Sequence, residues 1–363
     1  MCRERYAEAE EFFTAAIELD GQNSLAYSGR SVIYTRQGKF EQALEDLNKF
    51  VALEPKVWDG YFERGVIHGR LKNYALAILD FTKVLELKPR DADAYYNRGI
   101  TYSELRRYAQ ALNDLDRFLK LKPKSAEGYL ARGTIYSELK NDEQAVFDLE
   151  RAVALNPNYA KARLHLGREY FALGKYAQAL PEFDAFVKLV PHLPDGYFER
   201  GVIYGEIQNY DAAIDDLTRA VALDENFAEA YYYRALSYSR QRKVARAILD
   251  LNKVIKLEPR HAKAYFQLGL EYYNLRKFGP ALVFFNTVIK LNPLAASAYY
   301  NRGNAFLNLE KYAEAVVDYT RAIILNPADA DSYHNRALCY QELGENVRSR
   351  ADFAKVRELL GRK

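Results

Sequence analysis

The sequence is poor in several features whose absence narrows its class. Methionine occurs only at the first position, tryptophan only at Trp58, and cysteine only at Cys2 and Cys339. Two thiols at opposite ends predict no intrachain disulfide, and no Asn-x-Ser/Thr acceptor occurs, a pattern that suits a reducing, cytoplasmic compartment. No run approaches the roughly 18 apolar residues of a membrane span, so no membrane insertion is expected. The opening Met1-Cys2-Arg3-Glu4-Arg5 is charged where a secretory signal is apolar. An excess of one charge is missing too. The net charge is +3 from 52 basic and 49 acidic residues, without the clustered Lys/Arg footprint of a nucleic-acid binder. Nor is there a basic amphipathic segment that would lie on a membrane surface.

Signatures of chemistry are also absent. There is no P-loop, HExxH, GxSxG or dinucleotide fingerprint. His68, His165, His192, His261 and His334 share no ligand spacing with cysteine or with one another. We therefore expect no enzyme: no catalytic residue, no cofactor and no metal.

Tyrosine, by contrast, is abundant, with 30 in 363 residues, and 49% of the chain is apolar, enough for a large core. The tyrosines recur at a period of 34: Tyr27, Tyr61, Tyr95, Tyr129, then Arg163, then Tyr197, Tyr231, Tyr265, Tyr299 and Tyr333. Four residues on runs a small-residue ladder (Ser31, Gly65, Gly99, Gly133, Gly167, Gly201, Ala235, Gly269, Gly303, Ala337), and three further on a mostly tyrosine one, with His68 and Phe306 as variants. Alanine then recurs from Ala43 to Ala315, and proline closes most units, from Pro55 to Pro327. Ten units tile residues 24–363, and residues 1–23 match the second half of another.

Tyr, small, Tyr at i, i+4, i+7 is one face of an α-helix. The small residue admits a second helix, whose alanine is the matching thin surface, and proline ends that helix for want of an amide hydrogen. The tyrosines read as hairpin core or its rim, with the ring packed and the hydroxyl in water. Pro181 and Pro280 fall near second-helix starts, where proline is best tolerated. A single 34-residue hairpin cannot bury its own apolar face, so neighbours must stack.

This pattern resembles the tetratricopeptide repeat family, whose signature runs aromatic, Leu, Gly, aromatic, Ala, aromatic, Pro at the same period. The resemblance implies an all-α, right-handed α-solenoid superhelix of antiparallel helix hairpins that binds proteins. One departure is informative. The family's Leu is replaced by Arg30, Arg64, Arg98, Arg132, Arg200, Arg234, Arg302 and Arg336, and sixteen residues later stand Asp46, Asp80, Asp114, Asp148, Asp216, Asp250, Asp318 and Asp352. The two units with Leu166 and Leu268 carry Glu182 and Phe284 instead of Asp. Their joint loss predicts that each Arg pairs with the Asp of its own hairpin.

A second stripe follows one residue after the ladder tyrosines: Ser28, Phe62, Tyr96, Leu130, Leu164, Phe198, Tyr232, Phe266, Tyr300 and His334. Four residues on stand Val32, Val66, Ile100, Thr134, Arg168, Val202, Leu236, Leu270, Asn304 and Leu338, then small residues such as Gly69, Gly205 and Ser239. In the family these positions line the concave side of the superhelix. The resemblance therefore implies a partner-binding groove at Phe62, Tyr96, Leu130, Phe198, Tyr232, Phe266, Tyr300, Asn304 and His334, with shallow apolar pockets between rings and small residues. The alternative for this stripe is consumption by contacts between neighbouring units.

Asp59, Asp93, Glu127, Asp195, Glu229 and Asp331 begin the first helices, where they suit helix N-termini, the alternative being an acidic rim to the groove. The chaperone-tail clamp of some family members needs Lys where Phe62 and Tyr96 stand and Asn where Val66 and Ile100 stand, so that function is not expected. Only Asn97, Asn301 and Asn335 match the asparagine ladder of sugar-transferase arrays. Asp59–Ile67 and Asp195–Ile203 are identical, which suggests duplication of a larger block. The leading expectation is a protein-interaction scaffold that takes a peptide or helix. An assembly subunit that self-associates, as a homo-oligomer or in a larger complex, and the targeting arm of a longer enzyme are the alternatives.

Overall fold

A computed structural model describes residues 2–361, and the side chains of residues 6–361. The Cys2 side chain and the closing residues 362–363 lie outside what is described. Within the described residues the chain is helical throughout. Helix α1 spans Cys2–Leu19. The first helices of the hairpins are α2 (Ser24–Gln37), α4 (Trp58–Arg70), α6 (Ala92–Glu104), α8 (Ala126–Glu138), α10 (Ala160–Ala172), α12 (Pro194–Glu206), α14 (Ala228–Arg240), α16 (Ala262–Asn274), α18 (Ala296–Asn308) and α20 (Ala330–Glu342). Their second helices are α3 (Phe40–Leu53), α5 (Tyr74–Leu87), α7 (Tyr108–Leu121), α9 (Asp142–Leu155), α11 (Tyr176–Leu189), α13 (Tyr210–Leu223), α15 (Val244–Leu257), α17 (Phe278–Leu291), α19 (Tyr312–Leu325) and α21 (Asn346–Leu359). Two compact units emerge, Met1–Ala185 and Phe186–Lys363, each described by itself.

Local chemistry sets the helix ends. Asn23, Asp91 and Ser125 cap α2, α6 and α8 by accepting from the amides of Ala26, Ala94 and Gly128 at 3.0, 2.8 and 3.1 Å. Each hairpin turn contains one left-handed residue. It is Gly38, Gly174 or Gly344 in three turns, and Lys72, Arg106, Lys140, Gln208, Arg242, Arg276 or Glu310 elsewhere. Pro280 is the third residue of α17, within its first turn. Pro181 is the sixth of α11 and so lies beyond the tolerant first turn expected for it.

The small-residue and alanine ladders meet inside each hairpin. Ala43, Ala77, Ala111 and their successors to Ala315 are fully buried. A Cβ built on Gly99 would sit 3.3 Å from the Ala111 carbonyl, and one on Gly65 2.9 Å from the Phe81 ring. Between hairpins a size match governs. Phe50, Phe118 and Phe186 lie where Gly60, Gly128 and Gly196 leave room, each 2.4 Å from an added Cβ. Elsewhere alanine, or Ser332 in one hairpin, is set ten residues after valine or alanine, as Ala94 after Val84 and Ala230 after Ala220.

The arginine ladder pairs as its sequence implied. In all eight hairpins Nε and Nη2 of the Arg donate to both carboxylate oxygens of its own Asp, at 2.6–2.9 Å. The Asp residues are buried. A second bond was not foreseen. Nη1 reaches back to the preceding second helix, as Arg98 to Thr82 at 3.0 Å, Arg132 to Asp116 at 2.6 Å and Arg234 to Thr218 at 3.1 Å. One guanidinium thus closes its hairpin and ties it to the previous one. Flanking tyrosines stack on it, with Tyr95 and Tyr102 5.8 and 6.0 Å from the Arg98 guanidinium carbon. The ladder hydroxyls are also engaged. Tyr61, Tyr95, Tyr197 and Tyr299 donate to the carbonyls of Pro55, Pro89, Pro191 and Pro293 at 3.3–3.4 Å.

Candidate functional site

With one flank of every first helix committed to its hairpin, the other flank carries the candidate site. The first-turn acids Asp59, Asp93, Glu127, Asp195, Glu229 and Asp331 sit where the helix dipole favours them. Of the expected groove residues, Phe62, Tyr96, Phe198, Tyr232, Phe266 and Tyr300 are half-buried and His334 is exposed. Leu130 is 4% exposed and offers a ligand almost nothing. Asn304 is engaged internally, its Oδ1 accepting from the Tyr319 hydroxyl at 2.8 Å and from Asn335 Nδ2 at 2.9 Å.

Each ring of the row leans on another ring. Phe62 lies 5.8 Å from Phe81, Tyr96 5.0 Å from Phe118, Phe266 5.8 Å from Phe285, and Tyr300 6.0 Å from Tyr319. Phe198 and Tyr232 lie against the linker residues Phe227 and His261 at 4.7 and 5.1 Å. Burial raises the Tyr96 and Tyr232 hydroxyls above the usual tyrosine pKa, so both stay neutral donors.

The pockets open one turn further along, on the Val/Ile/Leu row. Gly65, Val66 and Gly69 of α4 face Asn97, Ile100 and Thr101 of α6 across a cavity of about 460 Å³. The same arrangement recurs 136 residues on, where Gly201, Val202 and Gly205 face Tyr233, Leu236 and Ser237 across about 410 Å³. These are the two duplicated segments. One unit further, Leu236 and Ser239 face Gln267, Leu270 and Glu271 across about 500 Å³. Charged groups stand at the mouths: Arg70, Lys72 and Glu104, then Glu206 and Arg240, then Arg240 and Arg242. Glu271, 3% exposed, accepts from Ser239 Oγ at 2.5 Å and Gln267 Nε2 at 2.7 Å. The sequence showed this row, but periodicity alone could not tell whether neighbouring helices would close over it. A further cavity, of about 620 Å³, lies beside Tyr96 at the other end of the first helices.

Helical hairpins repeated every 34 residues, with pockets recurring between first helices within each compact unit, define an all-helical repeat array. Models of the tetratricopeptide repeat match residues 29–92, 143–194, 164–226 and 198–262, and also 81–113, 126–159, 262–293, 296–329 and 318–351; the chain belongs to that family. Its sequence matches no curated protein. Among solved structures it is similar to the C-terminal part of a TPR repeat-containing protein from Cytophaga hutchinsonii, at 20% identity over 66% of this chain and 98% of that one, with a TM-score of 0.55. A tetratricopeptide repeat protein from Parabacteroides merdae is similar at 23% identity over 65% and 94%, with a TM-score of 0.52. YrrB, described as a TPR protein with an unusual peptide-binding site, is similar at 24% identity over 51% and 95%, with a TM-score of 0.45. Among the described residues, no helix is long and apolar enough to cross a membrane.

Proposed function

We propose that this chain is a scaffold without chemistry of its own, which binds an extended segment of a partner protein along the exposed flank of its first helices. The repeated pocket carries the reading: apolar walls at Val66 and Ile100, at Val202 and Leu236, and at Leu236 and Leu270, each with charges at the mouth. Neighbouring helices pack roughly 10 Å apart, and an extended strand advances about 3.3 Å per residue. Adjacent pockets therefore match partner side chains about three residues apart, while backbone amides meet the polar mouths. The half-buried aromatic row supplies rigid anchoring surface beside them.

The test compares the wild-type chain with a Phe198→Ala/Tyr232→Ala/Phe266→Ala variant and with Leu236→Gln, panning each against a random peptide display library and checking helicity by circular dichroism. Peptides selected by the wild type should lose at least tenfold in affinity on both variants. Unchanged affinity in folded variants refutes the groove. A second reading has its own observation. Leu249, Val283 and Val317, at 34-residue spacing on α15, α17 and α19, are 70%, 61% and 67% exposed, a face suited to self-association. Light scattering over a concentration range separates the two, since mass that grows with concentration favours assembly.

A further inference from the structure

We propose that the cavity beside Tyr96 is a socket for an aromatic side chain of the partner, which rests on the reading that this flank binds a protein segment. The repeat itself supplies the template. Twenty-nine residues after each row aromatic comes the linker residue before the next hairpin. In two sister hairpins that residue is a ring lying on the row: Phe227 on Phe198 at 4.7 Å and His261 on Tyr232 at 5.1 Å. Beside Phe62 the linker residue is Asp91, and Trp58 supplies a ring from its own helix at 6.4 Å.

At Tyr96 the linker residue is Ser125, which caps α8 through the Gly128 amide at 3.1 Å. The space stays open, about 620 Å³ lined by Tyr96, Phe118, Lys122, Lys124 and Glu127 among others. Ala295 and Asp329 are also small beside Phe266 and Tyr300, but there Val288 and Ala322 stand in the place of Phe118, and the facing rings, Phe285 and Tyr319, come from one turn earlier in the second helix. The Tyr96 and Phe118 rings, tilted by 49°, leave an apolar wall for edge-to-face contact. At the rim Lys122 is held by Asp93 at 2.7 Å, and Lys124 is offset by Glu127, so the lining carries no net charge. A neutral ring suits it better than a charged side chain. What the chain places there in its sister hairpins is a phenyl or imidazole ring, which names the guest.

The full chain is compared with Ser125→Phe and Ser125→Tyr, which close the socket with the rings that Phe227 and Tyr159 place at this position, and with Ser125→Ala, which removes the cap but leaves the socket open. The probe is N-acetyl-fluorophenylalanine amide followed by fluorine NMR, and each protein is also panned against a random peptide display library. Wild type and Ser125→Ala should broaden the probe resonance, and a folded closing variant should bind it at least tenfold more weakly. Wild-type peptides should share one aromatic residue whose change to alanine weakens binding only where the socket is open. Equal probe binding with the socket open or closed overturns the proposal. Selected peptides that lack a ring, yet lose affinity on Leu236→Gln, overturn the socket and leave the groove standing. No selected peptide at all overturns both.

Discussion

Arg163 forms an ion pair with Glu182 at 2.7 Å, one helical turn before the position where eight sister hairpins hold their arginine. Arg163 stands in the tyrosine ladder, and Leu166 takes the usual arginine place. Its Nε also donates to the Pro157 carbonyl at 2.7 Å, the bond made elsewhere by a tyrosine hydroxyl. The hairpin has rebuilt its tie by moving the cation back one turn. Both side chains are 17% exposed, so removing one partner strands a partly buried charge. Arg163→Tyr should lower stability by about 1–2 kcal/mol, and adding Glu182→Gln should return more than half of that. A double-mutant cycle in urea measures it, and strict additivity of the two changes would refute the pairing.

The Arg98–Asp114 pair allows the complementary test. Asp114 is 4% exposed, so Arg98→Leu leaves an uncompensated buried carboxylate, a loss of about 3 kcal/mol. Arg98→Leu with Asp114→Phe copies the hairpin of Leu268, where Phe284 stacks on Tyr272 at 5.3 Å. Urea midpoints should show the double variant recovering much of the loss.

Between hairpins, Gly60→Ala should destabilise by about 1–3 kcal/mol, because the new methyl would overlap the Phe50 ring, 2.4 Å away. Phe50→Val in the same chain recreates the Val84 and Ala94 combination and should recover part of the loss. A double variant less stable than Gly60→Ala would show that the size match is not what governs this contact.

The left-handed turn residues predict a gain. Lys140 has φ of 58°, where a Cβ is strained and glycine is not. Lys140→Gly should add about 0.5–1 kcal/mol, read as a higher thermal midpoint, whereas Gly174→Lys should remove a similar amount.

Acid should weaken the chain through His165. Desolvation, with Arg168 and Lys161 nearby, pushes its pKa down to about 4. The unfolded imidazole binds its proton near pH 6.5 while the folded one does not, so this contribution is complete above about pH 6.5 and is lost as pH falls toward 4. His165→Asn, the residue at the equivalent Asn97 and Asn301, should flatten that acid limb by on the order of 2 kcal/mol. Urea denaturation at pH 7 and pH 4.5 would reveal an unchanged limb if the shift plays no part.

The rows of the candidate site were legible because their periodicity is local. Phe62, Tyr96, Phe198, Tyr232 and Phe266 are half-buried residues of the first helices, one position after the tyrosine ladder. Leu130 was misjudged as groove surface for a reason no single-helix pattern shows. Leu130 is 4% exposed while Tyr96, one unit earlier in the same row, borders an open cavity, and only packing reveals that one site is buried and the other open. Asn304, expected in the groove, has its Oδ1 engaged by the Tyr319 hydroxyl and by Asn335 Nδ2.

The sequence by itself determined the hairpin, its period and its internal ion pair, because i, i+4, i+7 faces and matched Arg/Asp losses are written within one unit. Only the tertiary structure decided where space remains. A cavity is what two neighbouring hairpins fail to fill, and that depends on side-chain volumes brought together by folding from residues roughly thirty positions apart.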